Sequence, residues 1–413
     1  MAIFKPFRAY RPKSDLAKAV ASRPYDVLNS TEAKLEAEDN PHSFLRVIKP
    51  EIELPENTDP YSSQVYLQGA KKFNDLKSEG IFIKDPDPYF YIYRLTMDGR
   101  TQTGLVGCCH YEEYYSGKIK KHELTRTAKE DDRVNHVDAL NANAEPVFFS
   151  YRAESSIDSI IESSITNKPE YDFIAEDSIR HELWVIRDES INGRVEELFE
   201  GVQDLYVADG HHRTAAAARI GKKRKEANLS HSGDEEYNFF MAVLFSDKQL
   251  KIYDYNRVIK DLNGLTDSDF IAKLKNSFHL IDESAQSIRP ANKGEFSVYL
   301  DGKWYCFSCP SRNLSEDPTE NLDVSYISEK IFEPILGIVD QRKDERIDFV
   351  GGIRGLGELE RRVDSGEMAV AFALHPVSME ELLEVADAGK IMPPKSTWFE
   401  PKLRSGLFVH ELS

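Results

Sequence analysis

The sequence predicts an α/β or α+β protein. Three observations lead there: apolar, aromatic runs of strand length recur along the chain, helix-length stretches separate them, and no repeat or low-complexity tract breaks the alternation. With 413 residues the chain can bury a large core, and the usual domain size suggests two or three domains. We expect an N-terminal α+β section over 1–117, a middle core over 118–261 and a C-terminal α/β section over 262–413.

In the first section the run "YFYIYRL" from Tyr89 to Leu95 reads as a strand and Ser62 to Glu79 as a helix. The prolines in "RPYDVL" and "NPHSFLRV" argue for ordered loops there rather than long helices. In the middle section a polar helix is expected from Leu124 to Leu140, and a helix, strand and helix run through "HELWVIRD". The last section holds "GEFSVYLDGKWYCFSC", a hairpin with Asp301-Gly302 at its turn. Then come helices, the strand in "MAVAFALHPVS" and the helix in "MEELLEVADAGK" with its glycine stop.

The most informative stretch is "LYVADGHHRTAAAARIGKK", Leu205 to Lys223. An apolar run, the turn residue Gly210 and four alanines read as strand, tight turn and helix, with Gly221 as a natural stop and Met241 to Phe245 as the next strand. His211, His212 and Arg213 thus crowd a helix start, where the macrodipole is positive and cations are unwelcome. An anion would reverse that balance, because exposed N–H groups at such a start bind phosphate and Arg213 can add a fork of donors. The alternative is a pair of surface or capping histidines.

Charge and cysteine content narrow the function. Lys plus Arg is 53 against 71 Asp plus Glu, a net charge of −18, so the chain as a whole does not attract nucleic acid or anionic lipid. The basic run Lys222 to Lys225 reads as a solvated loop. No apolar stretch reaches membrane-spanning length and the start lacks a signal-like run, which suggests a cytoplasmic protein without a membrane partner. Among four cysteines, Cys306 and Cys309 have C-x-x-C spacing, but the adjacent Cys108 and Cys109 do not complete a usual zinc set, so the thiols read as small hydrophobes. Metal ligands cannot be named from the sequence.

Two further clusters carry polar chemistry. In "KIKKHELTRTAKEDDRVNH", Glu123 lies where a carboxylate can face a cleft and take a proton from an attacking hydroxyl, with His122, Lys129 and Arg133 as candidate substrate contacts. Equally, Glu123 could cap a helix while Lys129, Asp132 and Arg133 form surface ion pairs. In "KIMPPKSTWFEPKLRSG", Pro393 and Pro394 fix an extended loop that presents Lys395, Ser396 and Thr397, residue types that can wrap phosphate oxygens. Nucleotide loops of the G-x-x-x-x-G-K-[ST], kinase or dinucleotide kinds do not occur.

"VADGHHRTAAA" resembles the "DGHHR" signature of free-serine kinases of the ParB and sulfiredoxin-like superfamily; "KKHELT" resembles the stretch carrying their glutamate, and "PPKSTWFEPK" their closing loop. Over its whole length the chain also resembles a widespread bacterial family known as a domain of unknown function. The resemblance implies a ParB-like core with an N-terminal extension, a C-terminal domain and an active site in the cleft between core and C-terminal domain. It also implies a phosphotransferase that interconverts L-serine and O-phospho-L-serine. Glu123 would be the base and Asp209 would stand at the reacting group, with Gly210, His211, His212 and Arg213 cradling donor phosphates and Lys395, Ser396 and Thr397 closing over them. The donor would be ADP, ATP or pyrophosphate, with magnesium. Two alternatives from other classes are a ParB-like nucleotide- or nucleic-acid-binding regulator, which the charge disfavours, and a metabolite sensor without turnover.

Overall fold

The computed structural model describes residues 2–310 and 315–413, which form two compact units, Met1–Leu250 with Pro401–Ser413 and Lys251–Glu400. This replaces the three sections expected at 1–117, 118–261 and 262–413. The first two share one sheet: Phe90–Met97 pairs with both Arg100–His110 and Arg180–Ile186, and Arg100–His110 pairs in turn with Phe239–Ser246. The last residues return to the first unit through smaller pairings, with Val409 bridging Tyr10 and His410 pairing with Asn143.

The nine-stranded sheet of the first unit runs in the order Ile119–Lys120, Leu205–Asp209, Val147–Tyr151, Phe239–Ser246, Arg100–His110, Phe90–Met97, Arg180–Ile186 and Tyr171–Ile174, with Phe4–Lys5 also paired to Arg100–His110. It is mixed. Leu205–Asp209 is parallel to Ile119–Lys120 and antiparallel to Val147–Tyr151, while Phe239–Ser246 is parallel to Val147–Tyr151. The sheet's core is apolar on both faces, as the fully buried Phe239–Ser246 strand indicates.

The strand–turn–helix expected at Leu205 is present, but the helix His211–Ala227 does not stop at Gly221. A Cβ there would lie 2.7 Å from the Tyr111 ring, so that glycine serves close packing. For the same reason Lys222 to Lys225 is helical rather than a loop. Arg224 and Lys223 pair with Asp138 and Lys225 with Glu112, cations placed where the helix C-terminus favours them. Elsewhere the expected helices appear as Ser63–Ser78 and Thr127–Leu140, and "NPHSFLRV" contains the single helical turn Leu45–Ile48.

The second unit is built on a six-stranded antiparallel sheet in the order His279–Ser284, Lys303–Ser308, Glu295–Leu300, Val370–Leu374, Tyr255–Ile259 and Ile347–Gly351. The hairpin forms as expected: Asp301 and Gly302 both take left-handed conformations, φ 47 and 72, the signature of a type I′ turn. Cys306 is buried in that hairpin, all four cysteines are free thiols, and no described group of His, Cys, Asp or Glu could hold a metal ion. Helices Asp267–Ser277, Leu356–Asp364 and Met379–Asp387 complete the unit, the last entered through a capping box from Ser378 to Glu381. Among the described residues no helix is long and apolar enough to cross a membrane.

Candidate functional site

The candidate site forms in the first unit where the strand Leu205–Asp209 becomes the helix His211–Ala227. The buried strand Leu-Tyr-Val-Ala fixes the backbone, and a register shift between Val207 and Asp209 against Val147–Tyr151 re-aims the strand's last residue. Gly210 then turns the chain at φ 87, a conformation that L side chains avoid. The helix start has no acidic residue in its first turn and no capping side chain, so its amides are left for an anion.

Asp209 is the electrostatic centre of the turn. Its Oδ1 accepts from Lys402 Nζ at 3.0 Å and its Oδ2 from Arg213 Nη2 at 3.0 Å. Burial works to raise the carboxyl pKa, but Lys402, and then Arg213, more than offset it and hold Asp209 well below the usual carboxylate range. Asp209 is therefore a permanent anion.

The imidazoles answer the question of crowded cations. Burial lowers the pKa of His211 to about 3 against the pull of Asp209, and burial followed by His211 lowers that of His122 to about 3. The two rings meet edge-on with centroids 4.6 Å apart. His212 accepts the Arg126 N–H through Nε2 at 3.0 Å, so that nitrogen carries no proton. Near neutral pH neither His211 nor His122 is a cation. Arg213 keeps its charge, and both of its terminal nitrogens are committed: Nη1 donates to the Pro146 carbonyl at 2.6 Å and Nη2 to Asp209, with Asp26 3.9 Å away, while Nε is buried with no hydrogen-bond partner among the described residues. With its side chain 6% exposed, Arg213 braces the turn rather than presenting a free fork to an anion.

Glu123 stands beside this turn, Oε2 3.9 Å from His211 Nδ1 and its side chain 38% exposed. It caps no helix, because the helix Thr127–Leu140 begins at Arg126 without a side-chain cap. The surface ion pairs weighed for its neighbours are absent too. Arg133 is buried, pairs with Asp132 at 2.9 Å and Glu145 at 3.4 Å, and stacks on Tyr25 at 3.9 Å; exposed Lys129 donates to the Tyr61 hydroxyl. Neither Arg133 nor Lys129 points to a substrate role, whereas His122, Glu123, Asp209, Gly210, His211, His212 and Arg213 are brought together. Lys395, Ser396 and Thr397 belong to the second unit, where the Ser396 hydroxyl donates to the Pro393 carbonyl at 2.7 Å.

Lys402 is the site residue that the sequence does not reveal. It stands in the proline-rich cluster, but only the return of Pro401–Ser413 to the first unit joins it to Asp209. Its side chain, 15% exposed, and that of Asp209, 26% exposed, are the accessible part of the ion network that Arg213 closes from within.

The chain belongs to the DUF1015 family, a family of proteins of unknown function, whose model matches residues 4–325. A curated relative, the tRNA dimethylallyltransferase of Finegoldia magna, is 30% identical over 153 residues, 34% of this chain and 47% of that protein; the chain thus spans about half the length of the curated relative it matches. Solved structures it is similar to include a conserved hypothetical protein from Pyrococcus furiosus (18% identity, 70% of this chain and 90% of that one, TM-score 0.34). A mutant free serine kinase in complex with AMP matches at 14% identity over 68% of this chain and 84% of that one, with a TM-score of 0.35. SbnI from Staphylococcus aureus, C-terminally truncated, matches at 12% identity over 71% and 82%, with a TM-score of 0.35. TM-scores this low carry no functional weight.

Proposed function

We propose that this protein is a phosphotransferase that interconverts L-serine and O-phospho-L-serine, using ADP, ATP or pyrophosphate as the phosphoryl partner. The observation that supports it is the pairing of an uncapped, dipole-positive helix start with two carboxylates held in different states. Asp209 is neutralised by Lys402 and Arg213, while the half-exposed Glu123 is free of any cation within hydrogen-bond reach among the described residues. The "DGHHR" resemblance names the alcohol and the phosphate.

In this reading the amides of Gly210 to Arg213 receive the donor phosphates and Lys402 supplies the accessible positive charge. The serine Oγ attacks the terminal phosphorus, Glu123 takes the Oγ proton, and the bond to the donor's bridging oxygen breaks, releasing AMP, ADP or phosphate. In reverse, Glu123 returns the proton. His211, held neutral near pH 7 by burial, adds no charge to the floor of the site. No described cluster suits a protein-held metal ion, so magnesium would enter on the donor's own phosphate oxygens, where it neutralises charge. A nucleic-acid partner is disfavoured by the net charge of −18. Phosphorus NMR of the purified chain with magnesium, serine and each donor in turn tests the proposal; a phosphoserine resonance supports it, and its absence with all three donors removes it.

A further inference from the structure

The first unit carries a second concavity, a cleft of about 750 Å³ that no residue of the Asp209–Arg213 turn lines. That is a size at which small molecules are held. Its walls come from three stretches far apart in sequence: the N-terminal region from Asp15 to Ser43, the turn Ala175 to Asp177 between the strands Tyr171–Ile174 and Arg180–Ile186, and Arg404 of the returning C-terminal residues. Charge in the cleft is mostly paired. Lys18 stands 3.4 Å from Glu176, Arg23 bonds Glu36, and Arg404 bonds Asp177. The exposed Asp15 is the carboxylate left over, with neither a hydrogen bond nor an ion pair to its side chain among the described residues.

Arg404 is 6% exposed and fixed from three sides. Nε donates to His181 Nε2 at 3.3 Å, Nη2 bonds Asp177, and the main-chain N–H donates to the Tyr93 hydroxyl at 3.3 Å. His181 is locked in turn, its Nδ1 2.7 Å from the same hydroxyl and its ring stacked on those of Tyr93 and Phe173. Burial, and then Arg404, lowers the His181 pKa to about 3, so the ring accepts from the guanidinium as a neutral base. Nη1 alone has no hydrogen-bond partner among the described residues, on a side chain that lines the cleft. A donor whose fork is already immobilised offers an anion a charge-assisted bond at little further ordering cost.

The cleft thus presents one uncommitted guanidinium nitrogen and one uncommitted carboxylate, while its other charges neutralise each other. A pure anion would face Asp15, Glu36, Glu176 and Asp177; a pure cation would face Lys18, Arg23 and Arg404. A ligand carrying both charges satisfies both ends. The segment around Arg404 also reaches the candidate site. Ser22 and Ser405 exchange backbone hydrogen bonds at 3.0 and 2.9 Å, and the Ser405 hydroxyl and the Tyr25 N–H both donate to Glu145 Oε1, at 3.3 and 3.1 Å. From the ends of this bridge Lys402 extends to Asp209, and Asp26 lies 3.9 Å from Arg213.

We propose that this cleft binds a free amino acid, its carboxylate on Arg404 Nη1 and its ammonium on Asp15, and that the occupant braces the Ser22–Ser405 bridge whose chain carries Lys402 to Asp209. The binding does not depend on the phosphotransferase reading.

Calorimetric titration of the full chain with each common L-amino acid in turn tests it, with acetate and ethylamine as single-charge controls. At least one amino acid should bind while neither control does, and Asp15→Asn and Arg404→Met should each weaken that binding roughly tenfold or more, the scale of a hydrogen bond to a charged group. Arg404→Lys should recover at most part of the loss, because it keeps the charge without the fork. Hydrogen exchange locates the ligand: its binding should slow exchange of the Ser22 and Ser405 amides, which pair across the bridge. A purely structural Arg404 predicts a lowered melting temperature for Arg404→Met with unchanged affinity, and that result overturns the proposal. If Arg404→Met does not fold, Asp15→Asn decides, since its side chain is exposed; wild-type affinity there overturns the proposal equally, as does unchanged exchange at Ser22 and Ser405 or the failure of every amino acid to bind. Serine binding that survives both substitutions would belong to the Asp209 site, removing this cleft and sparing the phosphotransferase reading. Amino-acid binding lost in both variants of a protein that makes no phosphoserine would leave the cleft standing and remove the serine kinase reading alone.

Discussion

Arg213 and Arg257 are both buried but oppositely compensated. Arg213 lies among Asp209, Asp26 and Glu145 in the first unit, and its neighbourhood is close to electrically closed, with two neutral imidazoles beside it. Arg257 meets carbonyl dipoles and an aromatic face. The difference teaches how to weigh a buried charge: a compensated one stabilises the local structure and its removal strands its partners, whereas an uncompensated one costs stability that its replacement by an apolar side chain can recover.

The largest expected effect separates the two directly. Arg213→Met should lose about 3–5 kcal/mol of unfolding free energy by leaving Asp209 and its neighbours without their cation, measurable by urea denaturation. Arg257→Met should lose far less, or gain, in the same assay. Equal losses would break the comparison.

A second expectation concerns Lys402, the accessible cation of the first site. Lys402→Met should raise the KM for the phosphoryl donor by roughly tenfold while the KM for serine changes little, since a charge-assisted contact to phosphate is lost. Steady-state kinetics with the two substrates varied in turn would show it, and an equal rise in both would place Lys402 in folding rather than donor binding.

The two units should also part in acid. In the first, His122, His136, His181 and His211 are all buried and held neutral, each with a pKa lowered to about 3. Their unfolded forms take protons near pH 6.5, so between about pH 6.5 and 3 the unfolded chain binds more protons than the native one and stability falls as pH falls. Hydrogen exchange followed from pH 7 to 4 should therefore show protection lost in Val147–Tyr151 and Leu205–Asp209 before the sheet of the second unit.

A smaller, opposite effect comes from Glu113. Burial pushes its pKa up to about 7, although the Ile3 N–H that it accepts at 2.8 Å opposes this. The native state thus holds a proton that the unfolded state releases near pH 4.5, and stability falls as pH rises through that interval. Glu113→Gln should flatten this slope and gain on the order of 1 kcal/mol at pH 8 relative to wild type, read from melting curves at two pH values.

What could be read in the sequence was local. Leu205–Asp209, Gly210 and the helix after it follow from an apolar run, a glycine and four alanines, and the Asp301-Gly302 hairpin from alternation around a turn pair; all are decided within a few residues. What could not be read was set across the chain. The division at Leu250 and Glu400 depends on the last residues pairing back with Tyr10 and Asn143. Gly221 looks like a helix stop until Tyr111 is seen against it. His211 looks like a cation until its burial is known, and His212 looks free until the Arg126 amide is seen donating to its Nε2. Lys402 and Arg257 carry no local signal, because a charge declares its role only through the partners that folding gives or denies it.

The central claim is that the turn from Asp209 to Arg213, with Glu123 beside it, transfers a phosphoryl group to serine. Its most direct test is a phosphorus NMR time course run in parallel on wild type and Glu123→Gln with magnesium, serine and the donor that wild type uses. The predicted result is phosphoserine from wild type and a rate roughly 10²-fold lower or less from the variant, whose donor binding is unchanged, because the amide keeps the shape but cannot accept the proton. Phosphoserine formed at the wild-type rate by Glu123→Gln would contradict the account.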